Sequence, residues 1–500
     1  MLKLKTILNH QAFFPVLMLY YGVFYILFGE VYPANEGLST DGYVFASLVS
    51  DFKNSFYFDA YYVHRIFPSL IVRIFFNTFS ININNQNIFS AFQILNLVGI
   101  TLSCYFLKKI FILFNIGCKK QLLGFTLFLI NFGIMKFPFY LPVMTDTLAL
   151  MLGTALLYFY LKNNTIGIIA CTIMLAFTWP MGYYQGLLLI AFPINSLPFS
   201  QPFKWQKSIV HGISVMYIII LITIFIIIEK RDIEISFVAR IDKNLLPLSI
   251  AGIILLYFFF AKIFLNKTLL NVSLFFNKIN YKRLIVSVFV FSIVFIIIHF
   301  LNPNPIPTYS TAQTLRDPTI YSLIKPLITI VSHTTYFGMV ICIVLLFWNS
   351  FCKTVSQMGW GLVAALGLNL FLFGITPQSR HLINILPWII VFLMLTINKY
   401  SFSNSFYVVV GILCFITSKI WLSFNNYADY PPMQLDKNGS IGFPHQKLWM
   451  NIGPWMNEQM YFFQGAILLA FMAIIFALLY KIKITESKKI QLTRRYDDEQ

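Results

Sequence analysis

The sequence predicts an all-α, polytopic membrane protein: one multi-span domain over residues 1–481, followed by a short cytoplasmic tail over 482–500. Three observations predict it. Apolar residues make up 58% of the 500 and charged ones only 11%, against about 25% charged in a soluble domain. Apolar runs of about 20 residues, enough to cross roughly 30 Å of hydrocarbon, recur from end to end. Lysines and arginines gather on alternate connections, as they do in short cytoplasmic loops.

The opening "MLKLKTILNHQAFFPVLMLYYGVFYILF" has the basic flank of a signal peptide, but its apolar run exceeds the roughly 7–15 residues of a signal core and no small-x-small cleavage site follows. It reads as a retained first span, near 11–29. Further spans are expected near 88–107, 121–139, 146–161, 165–180, 182–197, 208–228, 246–265, 284–301, 321–347, 359–374, 381–397, 404–422 and 463–481, giving about 12–14 transmembrane helices. The short runs on either side of "TWPMGYYQG" equally suit one re-entrant hairpin.

With the amino terminus inside, alternation puts Lys108, Lys109, Lys119, Lys120, Lys162, Lys262, Arg283, Lys353, Lys399 and the basic tail on the inner side, so both termini are expected to be cytoplasmic. The tail "KIKITESKKIQLTRRYDDEQ" reads as a solvated end in contact with anionic lipid. Two outer connections are long, 30–87 and 423–462. Every carboxylate except Glu486, Asp497, Asp498 and Glu499 falls on an outer connection or an outer helix end. Acidic residues barely influence insertion, so this gathering points to function. The net charge of +18 follows the topology and gives no support to nucleic-acid binding, which needs a basic groove in a soluble domain. The six cysteines form no CxxC pair and the seven histidines no HExxH, so neither a disulfide framework nor a zinc site is indicated.

In the first outer loop, "FPSLIVRIFFNTF" has Pro68 at a first helical position and Ser69, Arg73 and Asn77 every four residues. Such a narrow polar stripe suits an amphipathic helix lying flat in the interface. That helix would hold Asp41, Asp51, Asp59, His64 and Arg65 at the lipid boundary, where a substrate with a membrane-anchored tail brings its headgroup. Singly, Asp41 reads as a turn residue, Asp51 as a cap and the His64–Arg65 pair as a headgroup contact; their grouping favours a site. In "LPVMTDTLALML", Thr145 can cap a helix whose dipole stabilises Asp146. In "GITPQSRHLINILPW", Ser379 can cap, yet Arg380 and His381 then stand in a first turn that disfavours cations. An anion bound there resolves the conflict, since helix amides, a guanidinium and an imidazole form a phosphate site. Arg316, beside Asp317 in "TLRDPTI", reads as half of a local ion pair or as an assistant at that phosphate. Trp449, Trp455 and Tyr461 mark an interface belt or form a wall for a sugar ring; the sequence leaves both open.

The acid soon after the first span in "TDGY" (Asp41), the "HRIFPSLI" block, the "TD" opening a later span (Asp146) and "SRHLINILP" together resemble the GT-C superfamily of polytopic glycosyltransferases, which use polyprenyl-phosphate-linked sugars on the outer or lumenal face. The resemblance implies that the catalytic base falls on Asp41, the second acidic site on Asp146 and the lipid-phosphate arginine on Arg380. Asp41 is followed by Gly42, where the family usually has a second acid.

The mechanism that fits is transfer of a sugar with lipid phosphate as leaving group. Asp41, or failing that Asp51, deprotonates an acceptor hydroxyl; Arg380, supported by His381, takes up charge on the departing phosphate. Asp146, His64, Arg65 and Trp455 are the expected substrate contacts. The expected partners are the polyprenyl-phosphate sugar, a glycan or lipid acceptor, and membrane lipids. No cofactor is required; a divalent ion shared by Asp41 and Asp146 stays open. Abundant Ile, Phe, Asn and Lys point to an AT-rich bacterial genome, hence an inner membrane with the site facing the periplasm. Two rivals remain: an O-antigen or capsule polymerase using Arg240 and Arg316 on two outer loops, and a lipid-linked sugar flippase, which needs ionisable residues facing each other near midplane.

Overall fold

A computed structural model describes residues 10–33, 35–38, 40–51, 60–194, 244–264, 276, 278–302, 320–425, 450–479 and 483–484. Among them the regular structure is helical, apart from a two-residue antiparallel ladder pairing Tyr400 with Ile484 and Ser401 with Lys483. Asparagine opens several helices by accepting a backbone N–H at the cap. Asn84 accepts from Asn87, Asn164 from Gly167 and Asn280 from Arg283, each satisfying a donor that the first turn leaves orphaned.

The chain runs through α1 (Phe13–Phe28), α2 (Thr40–Ser50), α3 (Phe67–Phe79), α4 (Asn85–Leu113) and α5 (Cys118–Leu129). A π turn and a short helix, Phe132–Lys136 and Phe137–Tyr140, lead to α6 (Asp146–Leu161). There follow α7 (Thr165–Ala176), α8 (Pro180–Ala191), α9 (Leu246–Ala261), α10 (Tyr281–Leu301), α11 (Ile328–Phe337), α12 (Met339–Leu346), α13 (Trp348–Ser356) and α14 (Trp360–Leu372). A 3-10 turn, Ser379–Ile385, then runs directly into α15 (Leu386–Ile397), before α16 (Asn404–Ser418) and α17 (Glu458–Leu479).

Among the described residues five helices are long and apolar enough to cross a membrane: Asn85–Leu113, Leu246–Phe264, Tyr281–Leu301, Ser379–Ile397 and Glu458–Leu479. Two bent pairs raise the number to seven, Cys118–Leu129 with Phe132–Tyr140 at 67° and Met339–Leu346 with Trp348–Ser356 at 83°. Several of the fourteen expected runs are interrupted or short as helices, because hydropathy registers apolar composition and not the breaks within it. Asn131 caps the π turn at Ile134 and ends α5. Gly338, at φ +71, separates α11 from α12 inside what reads as one run, a conformation that glycine adopts without steric cost. The expected spans at 11–29, 146–161, 165–180, 182–197, 359–374 and 404–422 appear as apolar helices of 10–17 residues. The run at 208–228 lies outside the described residues. At 12 residues each, α7 and α8 extend about 18 Å, short of the roughly 30 Å core, and they pack as a hairpin with Thr178 and Trp179 at its tip.

The Ser379–Ile397 segment is the buried axis. Trp388 Nε1 donates to the Gly153 carbonyl at 2.8 Å, and a Cβ added at Gly153 would lie 2.1 Å from the Asn384 carbonyl, so α6 touches this segment backbone to backbone. By contrast α10 carries Ile285, Phe289, Phe295 and Phe300 largely exposed. An apolar face of that extent is stable against lipid and not against water.

The amphipathic helix expected in the first outer loop is α3, but two residues of its polar stripe, Ser69 and Arg73, bond inside the protein, while Asn77 is exposed. Ser69 Oγ donates to the Phe45 carbonyl at 2.9 Å, and Arg73 Nη1 to the Val49 and Ser50 carbonyls at 2.5 and 3.1 Å, capping the end of α2. The outward flank exposes Ile74, Phe75 and Phe79 beside Asn77 and Thr78.

Candidate active site at one end of the helices

Asp41 is the second residue of α2, in the first turn, where the helix dipole favours a carboxylate. Arg380 is the second residue of the 3-10 turn that opens the central segment. Its Nη2 donates to Asp41 Oδ2 at 2.9 Å, the two side chains being 20% and 27% exposed, and its Nη1 faces Met144 Sδ at 3.9 Å. Ser379 does not cap. Its hydroxyl sits 2.9 Å from both Ser332 Oγ and His333 Nδ1, while His333 Nε2 lies 3.2 Å from the Gly374 carbonyl. Those bonds lock the Arg380 turn onto α11.

Asp146 opens α6 and is buried, yet neither carboxylate oxygen accepts a hydrogen bond from another residue. The charges it feels most are those of Arg380, then Arg65, then Asp41. Thr145, expected to cap, instead turns its hydroxyl to Arg65 Nη1 at 3.5 Å. Arg65 is buried between two rings, its guanidinium carbon 4.3 Å from the Tyr61 centroid and 4.5 Å from that of Trp179, with Nε unpaired. Such stacking contributes about 0.5–2 kcal/mol per desolvated ring and presets the fork.

The segment around Arg65 is fastened to the α7–α8 tip. His64 Nδ1 donates to the Ala176 carbonyl at 3.1 Å and the Phe67 amide to the Phe177 carbonyl at 2.8 Å. Burial holds His64 below the usual histidine range, with the Ala176 carbonyl opposing and the Arg65 charge adding to it. His64 is thus a neutral strut holding Arg65 in place. His381 packs edge-on against Phe373 and Trp179 at 5.0 and 6.2 Å, its Nδ1 buried and unpaired.

Of the residues singled out in the sequence, Asp41, Asp146, Arg380, His381 and Arg65 therefore converge, from four separate stretches of chain. Asp51 does not join them. It stands just past the far end of α2, exposed and about 15 Å along the helix from Asp41, where a carboxylate is disfavoured by the dipole. Trp455 lies half-buried in the turn Gly453–Trp455, whose first amide donates to Ser332 Oγ at 3.2 Å, one bond removed from Ser379. Arg316, Asp59 and Arg240 lie outside the described residues.

The sequence reading missed three contributors. Trp179 and Tyr61 form the Arg65 sandwich; both sit in aromatic-rich stretches, "TWP" and "AYYVHR", adjoining the turn and the arginine they serve. Tyr336 on α11 is buried with its hydroxyl unpaired, within electrostatic reach of Asp146 and Arg380. Also missed was a second charged knot. Lys136 pairs with Glu30 at 2.5 Å, and Glu30 accepts the amides of Phe424 and Asn425 and the hydroxyl of Ser423. A lysine inside the apolar run "NFGIMKFPFY" was its signal, since such a charge needs a partner.

Opposite the site, the same helices end in lysines. Lys162 follows α6 and Lys399 follows α15, each about 25–30 Å from Asp146 or Arg380. Lys119 donates to Asn404 Oδ1 at 3.0 Å and Lys120 to the Asn398 carbonyl. Among the described residues no group of three or more His, Cys, Asp or Glu side chains gathers to hold a metal ion, and beside Asp41 and Asp146 the positive charge comes from the two guanidiniums.

Fold and site define a class: a helical membrane protein with a charge-paired polar site at one end of its helices. Within that class the chain matches no protein-family model, no curated protein and no solved structure.

Proposed function

We propose that the protein is a glycosyltransferase of the GT-C type, moving a sugar from a polyprenyl-phosphate donor to a glycan or lipid acceptor on the outer face of a bacterial inner membrane. The observation that carries this reading is the Asp41–Arg380 pair beside the unpaired carboxylate of Asp146. It joins an acid–base group to an anion-binding group, the two functions needed at opposite ends of the bond exchanged. Lysines at the opposite helix ends support a cytoplasmic assignment for that side, leaving the site outside.

In the reaction the acceptor oxygen attacks the anomeric carbon, the carbon–oxygen bond to phosphate breaks, and the phosphate leaves with the electron pair. Asp41 takes the acceptor proton. Arg380 exchanges part of its contact with Asp41 for the leaving oxygens; its five donors in a planar fork let it serve both. Arg65, fixed by its rings, adds a second positive charge where negative charge develops. Mass spectrometry of lipid-linked and polymeric glycans from cells with and without the gene tests the proposal. Loss of one sugar residue with accumulation of a polyprenyl-phosphate sugar supports it. An unchanged glycan profile contradicts it, and shortened polymers with every linkage retained point to a polymerase instead.

A further inference from the structure

No side chain caps the turn that carries Arg380, and a cation in a first turn is opposed by the backbone dipole. The position of Arg380 therefore has to be fixed from outside the turn, and one face of α11 does this. Thr329, Ser332 and His333, spaced three and four apart and all buried, stitch down the stretch 374–379. Thr329 Oγ1 donates to the Ile375 carbonyl at 2.7 Å, Ser332 Oγ to the Pro377 carbonyl, and His333 Nε2 to the Gly374 carbonyl at 3.2 Å. A carbonyl can only accept, so the proton of the neutral ring sits on Nε2 and leaves Nδ1 to accept the Ser379 hydroxyl at 2.9 Å. That bond draws the hydroxyl away from the cap, one residue before Arg380. From behind, Ser332 Oγ lies 2.9 Å from the same hydroxyl and accepts the Gly453 amide at 3.2 Å, so the anchor is itself held by the Gly453–Trp455 turn.

A guanidinium that must serve Asp41 and a leaving phosphate together tolerates little displacement of its backbone, since a shift of about 1 Å can cost about 10²-fold in rate. Resting on the glycosyl-donor reading above, we propose that His333 is a positioning residue: through Ser379 it sets Arg380 toward the leaving phosphate without touching substrate itself. Its two nitrogens have separate parts, Nε2 fastening the ring to the backbone of the turn and Nδ1 holding the hydroxyl next to the arginine.

The test measures transfer by the full chain in lipid nanodiscs, the probe being the lipid-linked sugar fraction extracted from its own membranes and added at graded concentrations. His333→Leu loses both bonds of the ring and Ser379→Ala only the hydroxyl. Each is expected to lower kcat by about 10–10²-fold with the KM for donor changed less than about threefold. His333→Asn, whose amide oxygen can stand where Nδ1 stood, should recover most of the rate. In an Arg380→Lys background the loss from His333→Leu should shrink to less than about threefold, because a residue acting through the arginine then has nothing to position. Losses that multiply in full in that background, an Asn variant as slow as His333→Leu, or a Ser379→Ala rate within about twofold of the unmodified chain overturn the inference and make His333 a packing residue. Should His333→Leu fail to fold, Ser379→Ala carries the same comparison. Absence of transfer by the unmodified chain removes the glycosyl-donor reading itself, and the role of His333 with it.

Discussion

Asp41 and Arg380 are 339 residues apart in sequence and 2.9 Å apart in space. One lies in the first turn of a helix just after the opening apolar segment, the other at the head of the most buried of the five long apolar helices described. This contact brings two distant stretches of chain to one site, and both charges act on Asp146.

The guanidinium's shape should matter as much as its charge. Arg380→Lys keeps a cation but loses the fork that serves Asp41 and a phosphate together. Transfer is expected to fall by about 10²-fold or more with normal membrane insertion, measured as product formed per inserted protein. Activity retained within a few-fold would place the phosphate elsewhere.

Trp179 is 2% exposed and stacks on Arg65. Trp179→Ala should cost about 3–5 kcal/mol through the space left behind and lower activity further by freeing Arg65. Trp179→Phe, which preserves a ring face, should recover most of the activity. Thermal unfolding in detergent, run beside a transfer assay, separates the two effects.

Glu30 gives a pH dependence with a defined sign. Burial alone would raise its pKa, but Lys136, the Phe424 amide and the Ser423 hydroxyl outweigh it and hold the carboxyl below its ordinary range. The native state therefore binds fewer protons than the unfolded chain. The resulting stability is present above the ordinary glutamate value, about pH 4.3, and is lost as pH falls through the depressed native value. Glu30→Gln should melt below the unmodified protein at neutral pH, and the gap should close as pH drops below about 4. A gap that stays constant across that window would remove the carboxylate from the account.

The orientation is testable by labelling. Tyr43, on α2 near the site, is 61% exposed, and Lys162 is exposed beyond the far end of α6. All the native cysteines are buried except Cys118, which is partly so, so a Cys118→Ser background suffices. A cysteine at 43 should react with an impermeant maleimide in intact cells, and one at 162 only after the membrane is opened. The reverse pattern puts the site in the cytoplasm.

The helical, apolar character was legible because it rests on local chemistry, long apolar runs with charged residues at their ends; that Asp41, Asp146 and Arg380 belong together was an expectation carried by the family resemblance, since nothing local joins residues so far apart in sequence. The breaks at Asn131 and Gly338 were not legible, because a cap or a positive φ changes direction without changing composition. The stripe containing Ser69 and Arg73 suits a helix lying flat in the interface, because a polar stripe has the same period whether it meets water or the carbonyls of α2. Thr145 and Ser379 illustrate the same limit. Each has the sequence of a helix cap, and each is drawn away by a tertiary partner, Arg65 in one case and His333 with Ser332 in the other. Asp51 shared its loop with Asp41 but not its helix end, and helix polarity separates them.

The most direct measurement is single-turnover transfer by purified protein in nanodiscs, supplied with polyprenyl-phosphate sugars extracted from its own membranes, comparing the unmodified chain with Asp41→Asn. The unmodified protein should release free polyprenyl phosphate and a glycosylated acceptor, and the variant, equally folded by its melting curve, should be slower by about 10²–10⁴-fold. Full turnover by Asp41→Asn would contradict the account.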